Sequence, residues 1–256
     1  MTLRFSTGLR NNLAGNKGFA STFNKGSINI YSGTQPATAD SATTGTLLGT
    51  VTIGSGTLTQ EVRASQTITV AGASGSINTV AVGGLNIIPD GAVAFVTDAA
   101  TTAGLLCDAI NRNGLLDATV SGAVVTVLAP RGTGVTYNGT SFATTVTTLT
   151  ATVGGATMAN GVAAVNGLTF GAPTAGAVSK SGVWSFNGLP AAGAGTTAGW
   201  FRLVASSADS GLASSVLERL DGSVAVSGAD MNLSNITVVS GAPNTVDTFT
   251  YTVPAQ

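Results

Sequence analysis

The chain has 256 residues, with ten basic and eleven acidic side chains, no histidine and a single cysteine. A net charge near zero gives it no electrostatic claim on DNA, RNA or an anionic membrane surface. Without histidine it lacks the commonest general base and metal ligand, and one cysteine makes neither an intrachain disulfide nor a cysteine-based zinc site.

Ser6 is placed to cap a short helix over Thr7–Ala14, with Leu9 and Leu13 on one face and Gly15 just past its end. Gly18–Phe23 predicts a second short helical turn. Arg4, Arg10, Lys17 and Lys25 make this arm the most basic region, suited to an acidic neighbour or simply to a solvated face.

Ser27–Val51 reads as strand, long turn, strand. Ile28 and Ile30 alternate with Ser27, Asn29 and Tyr31, the period of a half-buried strand. Ser32-Gly33, Pro36 and Asp40 keep the next stretch irregular, and Leu47–Ile53 resumes an extended run.

From Ala64 the texture changes, and no charged residue occurs in Ala64–Pro89. Ser65–Ala71, Ser76–Val82 and Leu85–Ile88 read as short strands between glycines. Thr97 or Asp98 then caps the one long helix, where Ala99, Ala103, Leu106 and Ile110 recur at helical spacing and Asn113-Gly114 marks the end. Cys107 lies in that helix as a small core residue. A hairpin over Ala118–Val120 and Ala123–Leu128 turns at Ser121-Gly122, and Val146–Val153 reads as one more strand.

After Val165 short extended pieces return around Trp184. Gly199–Val204 is the strongest strand of the C-terminal part, with Trp200, Arg202 and Val204 on one face and Phe201 and Leu203 on the other. Arg202 is placed to stack on Trp200 or to pair with a carboxylate. Leu217–Leu220 and Ser223–Val226 read as a hairpin about Asp221-Gly222, and Leu233–Val239 and Thr245–Val253 close the chain.

The fold expected is mainly β: a β-sandwich or jelly-roll-like domain built from 1–63 and 165–256, with a short N-terminal helical arm, interrupted by a small α+β domain at 64–164. No paired carboxylates, calcium loop, nucleophile elbow or Walker motif stands out, so the expectation is no enzyme, no catalytic residue, no cofactor and no metal. Neither a secretion signal nor a bilayer-length apolar run is seen, which predicts synthesis in the cytoplasm and no membrane partner.

The segments RFSTGLRNNLAG (Arg4–Gly15), INIYSGTQPATADSATTGTLLGTVT (Ile28–Thr52), AGWFRLV (Ala198–Val204) and SGADMNLSNITVVSGAPNTVDTFTYTVP (Ser227–Pro254) resemble a family of structural proteins encoded by tailed bacteriophages. The middle stretch, with SINTVAVGG, TDAATTAGLLCDAINRNG and SGAVVTVLAP, is similar to small domains that recur in phage particle proteins. The resemblance implies a virion component made in the bacterial host. Its expected partners are phage structural proteins, a major capsid protein or neck and tail proteins, together with copies of itself in a homo-oligomer.

Low charge and neutral strand faces favour a head decoration or cement protein. A neck, tail or fibre component is the rival within the class. From another class comes a glycan-binding module that stacks sugars on Trp184, Trp200 and Tyr251. The candidate interface or stacking residues are Arg4, Arg10, Tyr31, Trp184, Trp200 and Arg202.

Overall fold

Strands that alternate large apolar residues with short polar ones dominate the molecule. The structure, a computed structural model, describes residues 3–15 and 17–253. The chain divides into two units: one runs up to Glu61 and resumes at Ala164, and the other is Val62–Ala163.

In the first unit seven strands are joined in a ring. The order is Arg219–Ala225, Thr196–Val204, Ser27–Ser32, Leu47–Ile53, Trp184–Asn187, Pro243–Thr252 and Met231–Leu233, which returns to Arg219–Ala225. The two facing sheets of the expected sandwich are therefore replaced by a closed barrel, while the mainly β character holds. Six neighbouring pairs are antiparallel; the closing pair, Val224 opposite Met231 and Ala225 opposite Asn232, is parallel. An odd ring of alternating strands must contain such a pair. The chain reaches it by a sidestep over 226–230, where the Asp230 carboxylate accepts from the N–H and hydroxyl of Ser223 at 2.8 and 2.7 Å.

Inward-facing residues fill the barrel: Ile28, Ile30, Val51, Trp184, Phe186, Phe201, Leu203, Leu220, Val246 and Phe249. Two glycines make room for rings. A Cβ on Gly49 would lie 2.1 Å from the Phe186 ring, and one on Gly222 would lie 2.6 Å from Phe201. Asp221-Gly222, expected as a hairpin turn, is thus the middle of one strand. The ring of Phe201 needs the glycine, and Asp221 faces the other way.

Helices α1 (Thr7–Ala14) and α2 (Phe19–Phe23) add Leu9, Phe19 and Phe23 to this core. Phe19 stacks on Tyr251 at 4.0 Å. The two-residue strand Arg4–Phe5 pairs with Arg219–Ala225 at Asp221 and Leu220, on the edge that Met231–Leu233 occupies further along.

The second unit has two four-stranded sheets. One carries Phe142–Thr147, Ser76–Val82, Leu85–Asn86 and Val93–Ala94; the other runs Thr150–Val153, Ser65–Ala71, Val124–Leu128, Asp117–Ser121. The strand expected over Val146–Val153 is two strands, because the chain turns at Thr148 with φ 64°. Helix α3 (Ala99–Asn113) starts where the Asp98 carboxylate accepts from the Thr101 N–H at 2.7 Å, and ends at Gly114 with φ 72°. Ala103, Leu106 and Ile110 of α3 are fully buried with Ile68, Ile77, Val80, Val125 and Val127.

Candidate functional site

The strand Thr196–Val204 is buried on both faces from Trp200 to Val204. Its inward residues enter the barrel. Its outward residues lie under two irregular segments, 33–46 and 205–218. These are tied to each other by Thr43 N–H to the Gly211 carbonyl at 2.9 Å and Ser214 N–H to the Asp40 carbonyl at 2.8 Å.

Beneath them the register lines up polar rows across the strands. Arg4, Asp221, Arg202, Asn29 and Thr50 form one row. Ser223, Trp200 and Tyr31 form the next. Side chains facing each other across adjacent strands are about 5 Å apart at Cβ, so oppositely charged neighbours pair.

Arg202 grips Asp221 with two parallel bonds, Nε to Oδ1 and Nη2 to Oδ2, both 2.7 Å. Its Nη1 donates to the Ser41 carbonyl at 3.1 Å. Arg202 and Asp221 are 1% and 0% exposed, so the pair stands out of water. Burial pushes the Asp221 carboxyl above its ordinary value, against the hydrogen bond and charge of Arg202 and the charges of Arg219 and Arg4.

A second fork lies beside it. Arg219 Nε and Nη2 bond the Asp209 carboxylate at 2.7 and 2.6 Å, and Nη2 also reaches the Leu212 carbonyl at 2.8 Å. That fork fixes the long 205–218 segment on the barrel.

Tyr31 stacks on Trp200 with centroids 4.5 Å apart, and the Arg202 guanidinium lies 5.5 Å from the Trp200 ring centroid. Burial raises the Tyr31 phenol, with Arg202 and a hydrogen bond to Thr43 opposing it.

Ser6 joins the arm to this layer. Its hydroxyl donates to the Leu217 carbonyl at 2.8 Å and accepts from the N–H groups of Leu9 and Arg219 at 3.1 and 2.9 Å. The Asp40 carboxylate accepts from the Thr7 N–H and hydroxyl at 2.8 and 2.7 Å, fastening the same helix start to segment 33–46.

Of the six sequence candidates, Tyr31, Trp200 and Arg202 meet here, buried. Arg4 is half-buried in the same row. Arg10 is exposed on α1 and donates to the Thr7 hydroxyl at 2.9 Å. Trp184 lies elsewhere, inside the barrel, with Nε1 donating to the Ser181 carbonyl at 3.1 Å. The three rings of the alternative sugar-stacking reading are packed within the protein: Trp184 and Trp200 are 0% exposed, and Tyr251 packs on Phe19. Covering segments and core packing withhold these rings from the surface.

The sequence reading missed Asp221, Arg219, Asp209 and the anchoring role of Ser6. Strand periodicity in RLDGSVA, with Arg219, Asp221 and Ser223 opposite Leu220, Gly222 and Val224, carries the signal. The Asp-Gly turn signature outweighed it.

Chemically this layer is a lock. Both oxygens of Asp221 and of Asp209 accept from a guanidinium, and these groups are shielded from solvent. Among the described residues no group of three or more His, Cys, Asp or Glu side chains could hold a metal ion, and no helix is long and apolar enough to cross a membrane. No protein-family model, curated protein or solved structure matches the chain.

Proposed function

We propose that this chain is a structural protein of a tailed-bacteriophage particle, most specifically a head decoration or cement protein that binds the head lattice in many copies as a homo-oligomer. Its partners are phage structural proteins and further copies of itself. It works without catalysis, cofactor, nucleic acid or membrane, and its place is the virion. The resemblance of the barrel segments to tailed-phage structural proteins motivates the class.

The observation that carries the reading is where the charge goes. The chain has ten basic and eleven acidic residues, and five of these, Glu61, Arg202, Glu218, Arg219 and Asp221, are buried. A surface already poor in charge is depleted further. What faces outward is rich in Thr and Ser, with single exposed apolar residues such as Val183, Leu212, Val216 and Val226. Neutral faces pack beside identical copies without like-charge repulsion, and desolvating them on a lattice is inexpensive. A sugar-stacking module finds no support in Trp184, Trp200 and Tyr251, since all three are buried.

Quantitative mass spectrometry of purified particles tests this. Copies on the order of hundreds per particle, matched to the head lattice symmetry, are expected. A dozen or fewer would move the protein to neck, tail or fibre. Its absence from particles would overturn the reading.

A further inference from the structure

Three guanidinium groups gather on one face of the strand Arg219–Ala225. Arg4 lies across from Asp221 on one side and Arg202 on the other. Arg219 projects from the same face, two residues before Asp221. The charges of all three bear on the Asp221 carboxyl. Facing them are two carboxylates, and both are committed. Asp221 accepts from Nε and Nη2 of Arg202, and Asp209 accepts from Nε and Nη2 of Arg219.

Two guanidinium donors are left over. Nη1 of Arg4 and Nη1 of Arg219 are both buried, and neither has a hydrogen-bond partner within the protein. Arg219 as a whole is 0% exposed. Diagonal neighbours on adjacent strands lie about 7–8 Å apart, within reach of long side chains. Arg4 and Arg219 stand in that relation.

A buried guanidinium donor without an acceptor is expensive, and among the described residues Arg4, half-buried, has no carboxylate paired with it. Water would satisfy the donors and leave the charge. A carboxylate from another molecule is too large to reach nitrogens already out of solvent. A monatomic anion answers both needs.

We propose that Arg4 and Arg219 together hold a small monovalent inorganic anion of the chloride class, and that this ion latches the N-terminal arm to the barrel. The latch sits at the seam where Arg4–Phe5 pairs with Asp221 and Leu220, two residues from the Ser6 anchor. Behind it the arm supplies Leu9, Phe19 and Phe23 to the barrel core. Occupancy is therefore coupled to the stability of the barrel unit.

The test is thermal unfolding at constant ionic strength, with chloride exchanged for gluconate, which is too bulky for an enclosed site. The barrel transition is expected to rise with chloride, by roughly 5 °C once chloride exceeds its dissociation constant about a hundredfold. Arg4→Gln should abolish that dependence. Crystals grown with bromide should show an anomalous peak between Arg4 and Arg219. Equal unfolding temperatures in the two salts, a chloride dependence that survives Arg4→Gln, or a bromide crystal with only water between the two arginines would each overturn the proposal.

Discussion

The barrel unit holds eleven of the fourteen aromatic residues and all five buried charged side chains, whereas the inserted unit packs mainly Ile, Val, Leu and Ala around α3. The two cores therefore specify their folds by different means. Aliphatic side chains are interchangeable, and the inserted unit sets its register with turns such as those at Gly75, Gly122 and Thr148, all at positive φ. In the barrel, a slip of one residue in Thr196–Val204 would drive Arg202 among Phe186 and Phe249 and lift Phe201 out. The charged row makes that error prohibitive. The sharpest way to break this contrast is Asp221→Ala, which leaves Arg202 buried without its partner. Calorimetry should show the barrel transition destabilised by about 3–5 kcal/mol, with the inserted unit's transition in place. Arg202→Met combined with Asp221→Leu should recover most of the loss, because two apolar groups leave no charge stranded. A double variant as unstable as the single one would mean that the pair supplies net stability as well as register.

A smaller effect is expected at the arm. Ser6→Ala removes a fully buried hydroxyl that serves two N–H groups and one carbonyl. The barrel transition should lose about 2 kcal/mol, the sum of a lost helix cap and unpaired backbone groups. Chemical denaturation read by tryptophan fluorescence suits this, because Trp184 and Trp200 both lie in the barrel unit. An unchanged midpoint would show that the arm is held by Leu9, Phe19 and Phe23 alone.

Local signals were legible wherever one face decides the structure. Ser6 and Gly15 bound α1 as expected, Asp98 and Gly114 bound α3, and Ser27–Ser32, Ser65–Ala71 and Ser76–Val82 follow their alternation. Two kinds of feature were not legible. One is closure: the parallel pairing of Met231–Leu233 with Arg219–Ala225 depends on a five-residue sidestep with no strand or helix period. The other is burial by irregular chain. Tyr31 and Arg202 look solvent-facing in an alternating strand, and only segments 33–46 and 205–218, which lack periodicity, put them inside. The stacking of Arg202 on Trp200 and its pairing with a carboxylate follow the sequence expectation, with Asp221 as that carboxylate. The partner Asp221 was hidden in an apparent turn.

The finest distinction between the two units is the sign of their response to acid. Asp98 at the start of α3 is exposed, and its carboxyl lies below the ordinary value because the Thr101 N–H bonds to its charged form. A carboxyl lowered by folding contributes stability above its unfolded value, and that contribution is lost as pH falls through the folded value. Asp221 is the reverse. Burial holds its folded value above the unfolded one, so its contribution is fully present below the unfolded value and fades as pH rises through the folded one. Acidification from just above the ordinary carboxylate range should therefore weaken the inserted unit through Asp98 while Asp221 shifts the barrel in the opposite direction. Asp98→Asn keeps an acceptor for the Thr101 N–H but cannot titrate, so it should flatten the acid slope of the inserted unit's unfolding and leave the barrel's slope alone. An acid slope in the inserted unit that persists in Asp98→Asn would assign it to other groups.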